Sequence, residues 1–157
     1  MEYPVGIGEY RVAMPPGILV TRGLGSCVGV ILHDTTLRIG GLAHIMLPNS
    51  RDFANFNNPF KFADLAIPAL VAEMRVLGAR SLAARLVGGA RMFPNGASRS
   101  GFDIGERNAL QARVILSSFI IPVVAEDVGG SVGRTVLVDV SLGSVRVRTA
   151  GRGERNL

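Results

Sequence analysis

Tryptophan is absent from this 157-residue chain, cysteine and lysine occur once each, and histidine occurs twice. A single cysteine makes no intramolecular disulfide, which fits a reducing compartment. Two histidines and one thiol are too few for a structural zinc site without carboxylates. The twelve acidic residues are scattered and offer no paired carboxylates of the glycosidase kind. No apolar run approaches the roughly 18 residues needed to span a bilayer. The start, Met1-Glu2-Tyr3-Pro4, lacks the basic-then-apolar form of a signal peptide. The expectation is a soluble, cytoplasmic protein with no membrane insertion. A Gly-Lys-Ser/Thr phosphate loop is missing. Gly23-x-Gly25 falls short of the dinucleotide fingerprint because Val28 stands where the third glycine belongs. No cofactor and no metal are therefore expected.

Charge is present but diffuse. The formal net charge is +5, and all basic residues except Lys61 are arginines, running from Arg11 to Arg155. The densest group, Arg146, Arg148, Arg152 and Arg155, has no aromatic interleaved. Modules that stack bases set aromatics beside the charge. The reading is a solvated basic face rather than a nucleic-acid interface.

What the chain does have is a folding composition: 48% hydrophobic, 18% charged and 20 glycines. Length and composition predict one domain over residues 1–157. Val5–Val12 reads as a strand, and Ile18–Thr21 as a short β-branched run. Val28–Leu32 and Leu37–Leu47 flank the turn-forming His33-Asp34-Thr35-Thr36 as a β-hairpin, which places His33 in an exposed turn. Asn58-Pro59 gives an N-cap and a first-turn proline for a helix whose apolar positions run from Phe62 to Leu77, with Gly78 as stop and a kink expected at Pro68. Leu82–Val87 and Val123–Val128 read as strands. Asp103 and Glu106 have capping-box spacing for a second helix through Leu110, Val114 and Phe119. Val136–Val140 and Val145–Thr149 form a hairpin around Leu142-Gly143. About seven strands with two or three helices make an α+β fold, a layered sheet structure with the helices on one side.

The candidate chemistry lies around the first hairpin. With Thr35-Thr36 as central turn residues, opposed positions sum to 71, and Cys27 pairs with His44 across neighbouring strands. A one-residue slip would throw the two onto opposite faces. A lone cysteine is more commonly a small buried hydrophobe, and a lone histidine in Leu42-Ala43-His44-Ile45-Met46 more commonly a hydrogen-bonded core residue. Together they form a nucleophilic pair: a neighbouring imidazolium lowers a thiol pKa, and the imidazole then serves as acid and base. Such a dyad attacks an amide, ester or thioester. Gly23 and Gly25 allow unusual backbone dihedrals, which makes Gly25 and Ser26 the candidates for contacting substrate or a developing oxyanion. Thr21 and Asn49 are both placed to orient the imidazole, and spacing does not decide between them.

These residues fall in a set of motifs. Thr21-Arg22-Gly23-Leu24-Gly25-Ser26-Cys27-Val28 and Ala43-His44-Ile45-Met46-Leu47-Pro48 are accompanied by Val5-Gly6-Ile7-Gly8-Glu9-Tyr10, Gly88-Gly89-Ala90-x-Met92-Phe93, Ile104-Gly105-x-Arg107-Asn108 and Glu126-Asp127-x-Gly129-Gly130. In this order the six resemble the CheD family of chemoreceptor glutamine deamidases over about residues 4 to 150. The resemblance implies a layered α/β/β arrangement of mixed sheets related to cytotoxic necrotizing factor toxins. It implies hydrolysis of glutamine side-chain amides on methyl-accepting chemotaxis receptors through a thioester intermediate. Cys27 is carried over as nucleophile, His44 as general acid and base, and Thr21, in preference to Asn49, as the orienting residue. The implied partners are the receptor's helical cytoplasmic bundle and the phosphatase CheC, with the protein a monomer. Arg51–Asn58, Pro94–Gly101 and the basic tail after Thr149 depart from the family pattern. Two alternatives stand beside this reading: an adaptor that binds receptors or CheC with catalysis secondary, and another thiol acyl hydrolase or transferase.

Overall fold

Ten strands and two α-helices are distributed over three layers in the computed structural model, which describes residues 1–92 and 103–157. Strands β1 (Glu2–Pro4), β3 (Ile18–Leu24), β8 (Arg134–Asp139), β9 (Ser144–Thr149) and β10 (Gly153–Asn156) form one sheet in that spatial order. Strands β2 (Tyr10–Ala13), β5 (Ile39–Ile45), β4 (Val28–Asp34), β6 (Ala83–Gly88) and β7 (Val123–Val128) form the other. Helices α1 (Ala63–Val76) and α2 (Ile104–Ser118) pack together on the outer face of this second sheet. Both sheets mix parallel and antiparallel pairs: β1 with β3 and β6 with β7 are parallel, the rest antiparallel. This is the layered α+β architecture expected.

β4 explains why the middle layer reads as a continuous apolar run. Successive side chains point to opposite faces of a strand. Val28, Val30 and Leu32 join Ala66, Ile67, Leu70 and Met74 of α1 and Ala112 and Leu116 of α2 in one core. Ile31 joins Leu42 of β5 and Leu19, Val136 and Val138 of the first sheet in a second core. Every residue of β4 and β5 is buried. A strand covered on both faces has no polar side to alternate with. Each Leu or Ile so placed contributes about 1.5–3 kcal/mol of transfer free energy, and the two cores hold the central sheet rigidly between its neighbours.

Several expectations need correction. The stretch Val5–Val12 is a crossing followed by the start of β2, because its backbone bonds divide between the sheets. Val5 N–H donates to Val20 of the first sheet, while Gly8 N–H donates to His44 of the second, each near 2.9 Å. The turn of the first hairpin is later than expected: His33 and Asp34 close β4, and Thr35–Arg38 make the connection, with Asp34 accepting from Leu37 N–H at 3.0 Å. His33 is consequently buried rather than exposed. Asn58 caps a single 3-10 turn, Pro59–Lys61, by accepting from Phe60 N–H, and α1 then starts at Ala63 and runs through Pro68. Asp103 caps α2 as expected, accepting from Glu106 N–H at 3.2 Å. β10 was not anticipated. It forms because Glu154 lies beside β9 and pairs with Arg146 and Arg148, which removes much of the basic tail's free charge. The segment Pro94–Gly101 lies outside the described residues.

Candidate active site

The β4–β5 register sets the geometry. Gly29 opposes His44 and Val28 opposes Ile45, so opposed positions sum to 73, not 71. The difference follows from the four-residue turn. Because the shift is two residues, it preserves the face on which each side chain lies. Cys27 is therefore one step diagonal to His44 rather than directly across from it. Both face the layer between the sheets. Cys27 belongs to the inter-sheet core, and the ring of His44 reaches Thr21 of β3.

His44 is fully buried and held from one side. Its Nδ1 lies 2.7 Å from Thr21 Oγ1, and that hydroxyl donates to the Val5 carbonyl at 2.6 Å. A hydroxyl has one proton to give. Since Thr21 spends it on Val5, it accepts from His44, and the proton of the neutral ring sits on Nδ1. Nε2 is left with a lone pair, buried and without a hydrogen-bond partner among the described residues. The chain crossing between β1 and β2 is what brings Val5 to this position.

Burial also sets the protonation states. It pushes His44 down to about 4, against a smaller opposite pull from the charge of Glu9. It pushes the Cys27 thiol up, with the residue's own backbone N–H pulling weakly the other way. The resting pair is a neutral thiol and a neutral imidazole, not the thiolate and imidazolium that the sequence reading assumes. At neutral pH the Nε2 lone pair is free to accept a proton, with a basicity that burial weakens. Cys27 keeps 8% of its surface exposed while His44 keeps none. Met46 and Met92 are partly exposed, and Met92 lies against Gly25, two residues before Cys27.

The turn before Cys27 is held by its carbonyls. Gly25 accepts from Ala90 N–H and Cys27 from Gly89 N–H, both at 2.8 Å, while Ser26 accepts from the Asn108 side chain at 3.0 Å. Gly88 makes the close approach possible. Its φ is +113°, and a Cβ there would lie 2.3 Å from the Cys27 carbonyl oxygen. Gly23 takes the left-handed conformation expected, at φ +71°, but Gly25 does not. Gly25 N–H donates to Gly23 at 3.0 Å, whereas the Ser26 N–H has no such backbone partner among the described residues.

The Asn49 side chain caps the short turn Ser50–Asp52, and of the two candidates it is Thr21 that lies at hydrogen-bond distance from Nδ1. His33 stands at the far end of β4, 3.3 Å from an Arg85 nitrogen, and takes no part. The sequence motif Ile104-Gly105-x-Arg107-Asn108 assigns Asn108 no role, although a polar residue on the apolar side of a helix is a signal to look for a partner. Among the described residues no three His, Cys, Asp or Glu side chains gather as metal ligands.

The chain is similar to known proteins over nearly its whole length. The family model described as CheD chemotactic sensory transduction matches residues 46–149. A protein of Moorella thermoacetica is 51% identical over 154 residues, covering 96% of this chain and 92% of its own. One from Clostridium novyi is 47% identical over 156 residues, covering 98% and 96%, and one from Clostridium kluyveri is 46% identical over 158 residues, covering 99% and 98%. All three carry the name probable chemoreceptor glutamine deamidase CheD. These relatives match nearly the whole length of the chain, beyond the stretch the family model covers, and the chain belongs to the CheD family.

Proposed function

We propose that this protein hydrolyses the side-chain amide of glutamines on methyl-accepting chemotaxis receptors, giving glutamate and ammonia, with Cys27 as nucleophile, His44 as general acid and base and Thr21 as the orienting residue. The observation that carries the reading is the unpartnered Nε2 of His44, its tautomer set by Thr21, in the same layer as the only thiol of the chain. The names of the relatives supply the substrate class.

In the proposed cycle, His44 Nε2 takes the Cys27 proton as Sγ bonds to the glutamine Cδ, and the carbonyl π pair moves onto oxygen. The Ser26 N–H, without a backbone partner among the described residues, is the proposed donor for that oxyanion. As the intermediate collapses, the C–N bond breaks, and the proton on Nε2 goes to the departing nitrogen, which leaves as ammonia. A thioester remains. Water then gives a proton to Nε2 and adds to the thioester carbon, and the C–S bond breaks with that proton returning to sulfur. No cofactor enters this balance. The burial of Nδ1, Thr21 and Val5 keeps water from competing for the ring.

The burial of Cys27 also favours a second reading, an adaptor that docks on receptors or on CheC with catalysis secondary. Mass spectrometry of a receptor cytoplasmic fragment separates the two. Incubation with the unaltered protein is expected to convert particular glutamines to glutamate, and Cys27→Ala or His44→Ala to abolish the conversion while leaving binding intact. Full conversion by either variant would end the thiol mechanism, and binding without any conversion by the unaltered protein would favour the adaptor.

A further inference from the structure

We propose that Asn108 is a positioning residue that sets the spacing of Cys27 and His44 by bonding the two strand ends that carry them; the proposal rests on the dyad reading above. The β4–β5 ladder ends at Val28 and Ile45. The next hydrogen-bonded pair outward would be Ser26 and Leu47, but Leu47 N–H donates to Lys61 at 2.9 Å and the Ser26 carbonyl accepts from the Asn108 side chain instead. The strands therefore fork just outside the pair Val28 and Ile45, whose members directly follow Cys27 and His44 in the chain.

Asn108 fills the fork. It is the fifth residue of α2 and fully buried. Its Nδ2 donates to the Ser26 carbonyl at 3.0 Å and to the Met46 carbonyl at 2.9 Å. Ser26 directly precedes Cys27, and Met46 lies two residues beyond His44. One rigid amide group thus fixes the distance between the two branches, where the ladder no longer does. Both partners are acceptors, so only a side chain with two donors on one atom meets them; a carboxylate would face two carbonyl oxygens with none to give. The amide oxygen is left buried without a partner among the described residues. An unsatisfied buried acceptor weakens a fold, and an apolar side chain of the same shape would not carry it. What the amide adds is the fixed gap between Ser26 and Met46. Thr21 settles the rotation of the His44 ring, and Asn108 settles how far the sulfur stands from it.

The test is a double-mutant cycle on Cys27 alkylation by iodoacetamide, run beside receptor deamidation. In the Asn108→Leu variant, which is nearly isosteric and donates nothing, kcat is expected to fall on the order of 100-fold with KM within about 3-fold, the signature of lost positioning rather than lost binding. Its alkylation rate is expected to stop responding to His44→Ala, whereas the same change in the unaltered background slows alkylation. Additive effects in the cycle, or a kcat for Asn108→Leu close to that of the unaltered protein, would overturn the proposal. Should Asn108→Leu fail to fold, two readouts remain. Asn108→Ser, with one donor, is expected to be intermediate in the same cycle. In the unaltered protein both Asn108 side-chain amide protons are expected to resist hydrogen exchange, and exchange at the rate of a free amide would refute the bridge. The cycle does not use turnover, so an active Cys27→Ala would remove the dyad reading while the alkylation result still judged the bridge.

Discussion

Thr21 and His44 are joined by a 2.7 Å bond whose direction is decided by a third group, the Val5 carbonyl, to which the Thr21 hydroxyl gives its only proton. Sequence-distant segments thereby cooperate on one proton: β3 supplies the hydroxyl, β5 the ring, and the crossing after β1 the acceptor that orders them.

Substitution at Thr21 should separate hydroxyl from bulk. Thr21→Val keeps the shape but leaves Nδ1–H without an acceptor and frees the ring to flip or change tautomer. Its kcat for receptor deamidation is expected to fall on the order of 100-fold, within the range of general acid–base catalysis, with KM little changed. Thr21→Ser keeps the hydroxyl and is expected to stay within about 10-fold of the parent. Equal activity of the Val variant would mean that the ring is oriented by something else.

The two histidines, both buried, predict how stability changes with acid. Burial lowers each to about 4 in the folded chain, His33 with further help from the Arg85 charge, against about 6.5 when unfolded. Above pH 6.5 both states are neutral and the full stability is present. Between 6.5 and 4 only the unfolded chain takes up protons, so stability falls as pH falls. Each histidine accounts for on the order of 3 kcal/mol across that window, at about 1.4 kcal/mol per pH unit. Urea midpoints measured from pH 7 to 4.5 are expected to drop steadily, and a midpoint that is level down to pH 5 would contradict the burial of both rings.

The same burial shapes the activity profile. A base held near 4 is already unprotonated at neutral pH, so kcat/KM is expected to show no inflection near 6.5 and to remain level from about pH 6 to 8. The thiol, pushed above its ordinary range, should alkylate slowly at pH 7 and accelerate in alkali. An acid limb centred near 6.5 would show that His44 is solvated during turnover.

Much of the architecture was legible because local rules and tertiary packing agree. Asp103 and Glu106 announced α2, and the apolar runs of β4 and β5 announced a strand pair, which the structure covers on both faces. Thr21, Cys27 and His44 were legible through their motifs, while the register that relates them was read two residues off. The cause is Asp34. Its carboxylate accepts from Leu37, Arg80 and Ser81 N–H groups, which holds His33 and Asp34 in the strand and delays the turn, and two of those donors are 46 and 47 residues away. Local turn chemistry does not see such partners. β10 was hidden for a similar reason, since its four exposed residues have no apolar pattern and are recruited by the edge of β9 and by Glu154. The role of Asn108 depends on where α2 docks, which periodicity alone does not state.

The glycines around Cys27 offer a test of contact against conformation. Gly23 and Gly88 both have positive φ, but a Cβ on Gly23 would meet nothing within 4 Å, whereas one on Gly88 would press on the Cys27 carbonyl oxygen. Gly23→Ala should therefore carry only the left-handed backbone strain, about 1–2 kcal/mol, with Cys27 still in place. Gly88→Ala adds a collision with backbone that has little freedom to yield, since the same carbonyl is bound by Gly89 N–H. Its cost is expected to exceed about 3 kcal/mol. Thermal unfolding of the two variants measures the difference, and receptor deamidation reports whether the sulfur has moved. If both alanines unfold at the same temperature and retain activity, the close approach of β6 to the Cys27 turn is not what holds Cys27 in place.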